Sequence, residues 1–499
     1  MPVNKIEVIK QAKHPLDVLE DIYRYAKEGW EAIPEDDWDR MKWYGVFFRR
    51  TTPGYFMMRL RIPNGMLTSK QLDAVADIVI TYGRDQADLT TRENIQLRWI
   101  TIENVPDIFE RLKAVGLTSQ QSGMDNMRNV VGCPIAGLDP NEFIDASPLA
   151  QALQYSFVGL RELSNLPRKF NVSVTGCRDD CASAQAHDLS FVPATYHAAH
   201  GPVSGFNVLI GGALGGKDPK LAEPLDAFVR PEEVVALNRS VLEVYRDHGP
   251  RDARNKARLK YLLEMWGMDR LREAVEERFG RPLPRAGEAM TKRYGGDHIG
   301  IHPQAQRGLS YVGLLVPVGR LSGTQLKELA CLSDVYGKGE IRLTTQQNVI
   351  IPHVPREKMT ALLQEPLLKE FSPFPSPVMR GLVCCTGDDY CHFALIETKG
   401  ETLKMAKALE EKNVIKDSIR IHVSGCPNAC GQHHIADISL LAMKIKIDGE
   451  IVGAAEVGVG GRLGPEARLA EQVSNAVPLT ELPDYLAELA KDLNKEPMS

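Results

Sequence analysis

Four of the nine cysteines in this 499-residue chain form two close pairs, Cys385 and Cys391 in CTGDDYC and Cys426 and Cys430 in SGCPNACG. Thiolates paired in this way can hold a zinc ion or an iron–sulfur cluster. Structural zinc favours roughly two to four residues between paired ligands, and the five between Cys385 and Cys391 disfavour it. Without a metal the four would pack as small hydrophobes, which leaves the Gly and Pro in the tight turns beside them unexplained. Cys384 directly precedes Cys385. On spacing alone either could be the ligand.

The cysteine-bearing segment has a partner elsewhere in the chain. NVSVTGCRDDCASAQAHDLSFV at 171–192 matches RIHVSGCPNACGQHHIADISLL at 420–441, so Cys177, Cys181 and Asp188 correspond to Cys426, Cys430 and Asp437. Cys133 stands where Cys385 would be, but the counterpart of Cys391 is Asp139. Three thiols could still bind a second metal; the plainer expectation is a degenerate copy whose cysteines pack. Cys331, in the apolar run ELACLSDV, reads as core.

A second kind of segment also occurs twice. Pro63, Gly65, Leu67, Gln71, Leu72, Tyr82, Gly83, Leu89, Thr90, Thr91 and Asn94 each recur 254 positions later without a gap. The order is therefore A, B, A′, B′. Two copies are too few for a solenoid, so a pseudo-two-fold globular enzyme with its site between the halves is expected. Within A, YFMMRLRIP alternates as a strand, SKQLDAVADIVITYG reads as a helix, DLTTRENIQLRWI as a further strand and VPDIFERLKAVG as a second helix. That β-α-β-α order, present twice, predicts an α+β fold with one ferredoxin-like unit assembled from two half-domains. The expected segments are a helical extension over 1–45, half-domains at 46–116 and 302–368, and α+β domains at 122–283 and 376–497.

These residues together resemble a family. CTGDDYC followed by ALIETK, then SGCPNACGQHHIADI, is similar to the signature of the sirohaem- and [4Fe–4S]-containing nitrite and sulfite reductases. The likeness runs from MKWYGVFFRR at 41 to ADISLL at 441 and takes in TTRENIQLR, SGMDNMRNVVG, LPRKFNV and HPQAQRGLSYVGLLVPVGR. Within that family the chain looks most like the ferredoxin-dependent assimilatory nitrite reductases. The resemblance implies that the two α+β domains flank a sirohaem. It implies that Cys385, Cys391, Cys426 and Cys430 ligate the cluster, with Cys430 the thiolate shared with the sirohaem iron. It matches Arg92, Arg128, Lys169 and Asn171 to the distal face of the sirohaem, where cationic donors suit an anionic substrate and a carboxylate-rich macrocycle. Arg98 and Arg168, and Arg342, Gln347 and Asn348 on the A′ counterpart of the Arg92 strand, are further expected sirohaem contacts. Asn171 stands where the sulfite reductases carry Lys, which favours nitrite as substrate. A ferredoxin-dependent sulfite reductase is the runner-up, and a zinc-stabilised, non-catalytic binding scaffold is the alternative outside catalysis.

Composition narrows the partners. Sixty Lys and Arg against sixty-five Asp and Glu give a net charge of -5, which offers no overall basic field for nucleic acid. No run of apolar residues is long enough to span a bilayer, and the charged amino terminus lacks the apolar core of a secretory signal. A monomer in a bacterial or cyanobacterial cytoplasm is the expectation. No glycine-rich dinucleotide motif opens a βαβ unit, so electrons should come from a separate carrier, which the resemblance implies is ferredoxin. In RDARNKARLKYLL at 251–263, Arg254 and Arg258, and Lys256 and Lys260, have helical spacing. That segment reads as a solvated helix face, a sirohaem contact or a docking surface for an acidic protein.

Overall fold

The computed structural model describes residues 4–292 and 295–493. The ends of the outermost expected segments, 1–3 and 494–497, lie outside the described residues. The two A-type segments interlock. One five-stranded sheet runs Val46–Phe48, Phe56–Arg59, Ile95–Ile100, Ala87–Leu89 and then Arg320–Leu321, a strand donated by A′. Its twin runs Gly300–Pro303, Leu309–Leu314, Val349–Pro355, Glu340–Leu343 and then Met66–Thr68, donated by A. Arg320 pairs with Asp88 across one exchange and Ile341 with Leu67 across the other.

The exchange depends on a sharp turn kept in both copies. Asn64 (φ 53°) and Val318 (φ 49°) are left-handed, each followed by a glycine at positive φ. A Cβ on Gly65 would sit 2.4 Å from the carbonyl oxygen of Leu343, so only glycine lets the donated strand pass. After the turn, helices Ser69–Tyr82 and Gly323–Tyr336 begin with capping boxes, Thr68 with Gln71 and Ser322 with Gln325. These helices pack on each other, and one continuous apolar core runs through both halves.

DLTTRENIQLRWI differs from the expected single strand. It is a hairpin, Ala87–Leu89 and Ile95–Ile100, bent at the tip. Left-handed Glu93 (φ 56°) turns the chain, and the Thr90 hydroxyl accepts the Asn94 amide at 3.1 Å. Arg92 thereby sits on a loop rather than in a sheet.

B and B′ fold alike around separate cores. In B, Met127–Val131, Phe170–Val174 and Leu189–Ala198 are parallel neighbours, continued antiparallel by Gly201–Ile210 and Glu223–Val229. In B′, Leu382–Cys384, Ile421–Ser424 and Ile438–Ile447 repeat the pattern, followed by Glu450–Val459 and Glu471–Pro478. Every paired cysteine follows the carboxyl end of one of the first two parallel strands, where open α/β sheets place ligands.

Residues 251–263 do not form one solvated helix. A short turn, Arg254–Lys256, precedes helix Leu259–Trp266. Arg254 donates to Asp125 at 2.7 and 2.8 Å, Arg258 to Asp188 at 3.0 and 2.7 Å, and Lys260 is buried against Asp218. Inward pairing of Arg254 and Arg258 with buried carboxylates, and of Lys260 with a backbone carbonyl, removes these three cations from any docking face. No described helix is long and apolar enough to cross a membrane.

Candidate functional site

Loops from A, B and B′ meet at an open cleft. The Thr90–Asn94 hairpin tip forms one wall, Lys169, Asn171 and His187 of B a second, and Cys385, Asn428, Cys430 and Gln432 of B′ the third. Thr91 ties the first wall to the third by donating to the Cys430 carbonyl at 3.1 Å. Four cations, Arg59, Arg92, Lys169 and Arg258, line the cleft, and no Asp or Glu does.

The electrostatics follow from that imbalance. Arg92 Nη1 donates to Asn171 Oδ1 at 2.6 Å, but neither Arg92, Arg59 nor Lys169 has a carboxylate partner among the described residues. Burial, then Arg92 and Arg49, pushes the Arg59 guanidinium down to about 9. Burial, then Arg258, Arg92 and Arg168, holds the Lys169 ammonium well below the usual lysine range. His187 is held down to about 4 by burial and is neutral, with Nδ1 2.9 Å from the Ser183 carbonyl. Uncompensated cations in a partly buried cleft cost several kcal/mol each. An anionic ligand would relieve that cost. A macrocycle bearing several carboxylates, together with a small oxyanion, fits this donor set.

The B′ cysteines surround the third wall. Cys430 is exposed to the cleft, and Cys385 lines it while its Sγ accepts the Gly425 amide at 3.1 Å. Cys391, Cys385 and Cys430 are all electrostatic neighbours of Cys426. No three of the four thiols lie within 4.8 Å of one another. Such spread suits a cluster, in which each thiolate takes a different iron. Cys384 points the other way, fully buried in the B′ core, where burial lifts its thiol to about 12.

Of the other expected contacts, Gln347 lines the cleft, accepting the Cys384 amide at 3.1 Å and donating to the Leu89 carbonyl at 3.0 Å. Several expected residues turn elsewhere. Arg128 donates to the Ser122 and Met124 carbonyls at 2.7 Å each, which occupies its guanidinium in bracing a loop. Arg98 forks onto Asp88 and reaches Thr386 at 2.7 Å. Arg342 is drawn to Glu340 and to the Pro134 and Ala136 carbonyls. Asn348 accepts the Val316 amide at 2.9 Å, as Asn94 accepts the Ile62 amide at 3.2 Å. Arg168 is packed near Arg254 and Asp125 and does not line the cleft. For Arg128, Arg98 and Arg342, local backbone carbonyls or a nearby acid take the donors.

Arg59 is not among the expected residues, whereas Arg258 is, as part of the 251–263 segment for which a sirohaem contact is one reading. The signal for Arg59 is a cation inside the apolar strand FMMR, set over the Phe47 ring at 4.9 Å. Arg258 is signalled by the basic segment it lies in, and its partner Asp188 is a residue that the internal repeat singles out.

Comparisons with known proteins accord with this geometry. Residues 123–283 and 376–491 match the model of the nitrite and sulphite reductase 4Fe-4S domain, and 48–115 and 302–368 that of the nitrite/sulfite reductase ferredoxin-like half domain. A ferredoxin–nitrite reductase of Synechococcus elongatus is 47% identical over 98% of this chain and 96% of its own length. The assimilatory ferredoxin-dependent nitrite reductase of Haloferax mediterranei is 41% identical over 95% and 86%. The Mycobacterium tuberculosis NirA structure superposes with a TM-score of 0.93 at 32% identity, covering 100% of this chain and 95% of that one.

Proposed function

The chain belongs to the nitrite and sulphite reductase family, and from that premise we propose that it reduces nitrite to ammonium with electrons from reduced ferredoxin, using a sirohaem and a [4Fe–4S] cluster. The observation that carries this reading is the acid-free cleft, lined by four cations and walled by Cys385 and Cys430. When bound, the sirohaem iron would supply the site for nitrite and the cluster would supply electrons singly. Cys385, Cys391, Cys426 and Cys430 would hold the cluster. Arg59, which has no carboxylate partner among the described residues, is placed to neutralise a macrocycle carboxylate, while the charge of Arg258 is met by Asp188. Arg92, aimed by Asn171, positions the substrate oxygens, since a guanidinium holds its proton at working pH. Lys169 is the proton donor, because burial and neighbouring cations make its ammonium acidic enough to release one. Arg128 acts indirectly, through the loop it braces and the positive field it adds beside Arg92. The protein works as a monomer in the cytoplasm on this reading, in keeping with clustered cysteines that suit a reducing compartment.

Asn171 sets the choice of anion. Sulfite carries more negative charge than nitrite at working pH, so Asn171→Lys should raise the sulfite-to-nitrite ratio of kcat/KM, by roughly tenfold if it adds one charge-assisted bond. An equal ratio in cofactor-loaded variant and parent counts against this role.

Ferredoxin is acidic, so docking draws on local positive charge. Ferredoxin-driven turnover should fall as ionic strength rises, while turnover driven by a small viologen should not. Parallel salt dependence for both donors would dismiss an electrostatic encounter.

The direct test of the reading is the visible spectrum of purified protein with its iron and acid-labile sulfide. Sirohaem bands with cluster iron support it, and a colourless, iron-free protein points to the zinc-stabilised scaffold instead.

A further inference from the structure

The degenerate repeat keeps more than its fold. Asp180 and Ser183 in B are left-handed, as are their counterparts Ala429 and Gln432 in B′, so the cysteine-bearing turn has the same backbone in both. Thr345 donates to the Cys181 carbonyl at 3.1 Å, as Thr91 does to Cys430. Yet the thiols are arranged differently. Cys133, Cys177 and Cys181 are buried, and their Sγ atoms all lie within 4.8 Å of one another. Cys177 and Cys181 are 3.7 Å apart through sulfur. Two thiolates on one tetrahedral zinc, with Zn–S of about 2.3 Å, stand about 3.8 Å apart. Thiolates on a cubane cluster must reach around the irons and stand further apart, as those of B′ do.

A further donor comes from outside the repeat, touching the sulfur of Cys181 while standing more than 4.8 Å from at least one of the other two. His298, in the segment joining B to A′, puts Nε2 3.0 Å from Cys181 Sγ. It does so from a left-handed backbone (φ 58°), a costly conformation for a residue with a Cβ. Ile135, Leu138, Tyr311 and Ile350 close the surroundings against water. No carboxylate joins the group. Three soft thiolates and an imidazole select zinc over magnesium or calcium.

We propose that Cys133, Cys177, Cys181 and His298 form a structural zinc site in the half of the molecule that lacks a cluster. Zinc there would pin the ends of two parallel strands to the segment leading into A′, the bracing that a cluster gives in B′. Binding displaces the thiol protons to solvent and needs no redox change.

The test is metal analysis of the holoprotein produced in zinc-supplemented medium. One zinc per chain is expected beside the cluster and sirohaem iron, with zinc-edge X-ray absorption giving three sulfurs at about 2.3 Å and one nitrogen at about 2.0–2.1 Å. Cys177→Ala should reduce zinc at least tenfold and lower the melting temperature, while iron, sulfide and the visible spectrum stay as in the parent. Should that variant not fold, the absorption spectrum of the parent protein decides alone. Zinc at background, iron in its place, a Cys177–Cys181 disulfide in the native protein, or zinc unchanged by Cys177→Ala would each overturn the proposal. Absence of iron and sirohaem would instead overturn the catalytic reading, so the two failures are distinguishable.

Discussion

Cys430→Ala is expected to abolish nitrite reduction and strip the protein of acid-labile sulfide, whereas Cys384→Ala retains both. The contrast follows from where the two sulfurs point. Cys430 opens onto the cleft on a loop held by Thr91, and Cys384 lies in the B′ core beneath it. Removing Cys430 takes a thiolate from the most exposed of the cysteines that line the cleft, and no spare thiol replaces it. Removing the Cys384 sulfur leaves a small cavity costing on the order of 1 kcal/mol, which lowers stability without touching the site. Cys385→Ala should behave like Cys430→Ala. The check is iron and sulfide per chain together with turnover. Loss of sulfide in Cys384→Ala with retention in Cys385→Ala would exchange the roles of the two.

Lys169→Gln should lower kcat/KM for nitrite by roughly 10²–10⁴, the range of general acid catalysis. In the proposed role the protonated ammonium is the active form. Burial and Arg258, Arg92 and Arg168 lower its pKa, so the active form is lost as pH rises, in a window beginning below the usual lysine value of 10.5. The parent enzyme should therefore lose kcat/KM on the alkaline side. Lys169→Arg keeps the charge but cannot release a proton, so it should spare KM, lower kcat and flatten that limb. A pH–rate series on the loaded enzymes measures this. An identical alkaline limb in Lys169→Arg would assign the ionisation to another group.

The sequence was informative where function repeats or where a motif is local. The recurrence from Pro63 to Asn94 exposed the paired half-domains, because both copies need the same capping boxes and the same glycine at the strand exchange. It did not show that each half donates a strand to the other sheet, since pairing between Ile341 and Leu67 is a long-range choice. The hairpin at Thr90–Asn94 was hidden because the β-prone residues on either side of it read as one strand, which the Thr90 hydroxyl and left-handed Glu93 break. Charges were hardest to place. Arg128, Arg98 and Arg342 carry the right chemistry for the cleft, yet carbonyls or carboxylates brought by the fold claim their donors. Arg258 reads equally as a solvated residue, a sirohaem contact or a docking cation until Asp188 appears beside it. The three B thiols looked like packing because His298, which touches Cys181, comes from outside the repeat.

The central claim is that a cation-lined cleft beside Cys430 carries nitrite all the way to ammonium. The measurement that bears on it most directly is the product balance of the sirohaem- and cluster-loaded protein with excess reduced viologen. One ammonium formed for each nitrite consumed, with six electrons drawn, is the predicted result. Nitrite left untouched by fully loaded protein, or consumed without ammonium, would contradict it.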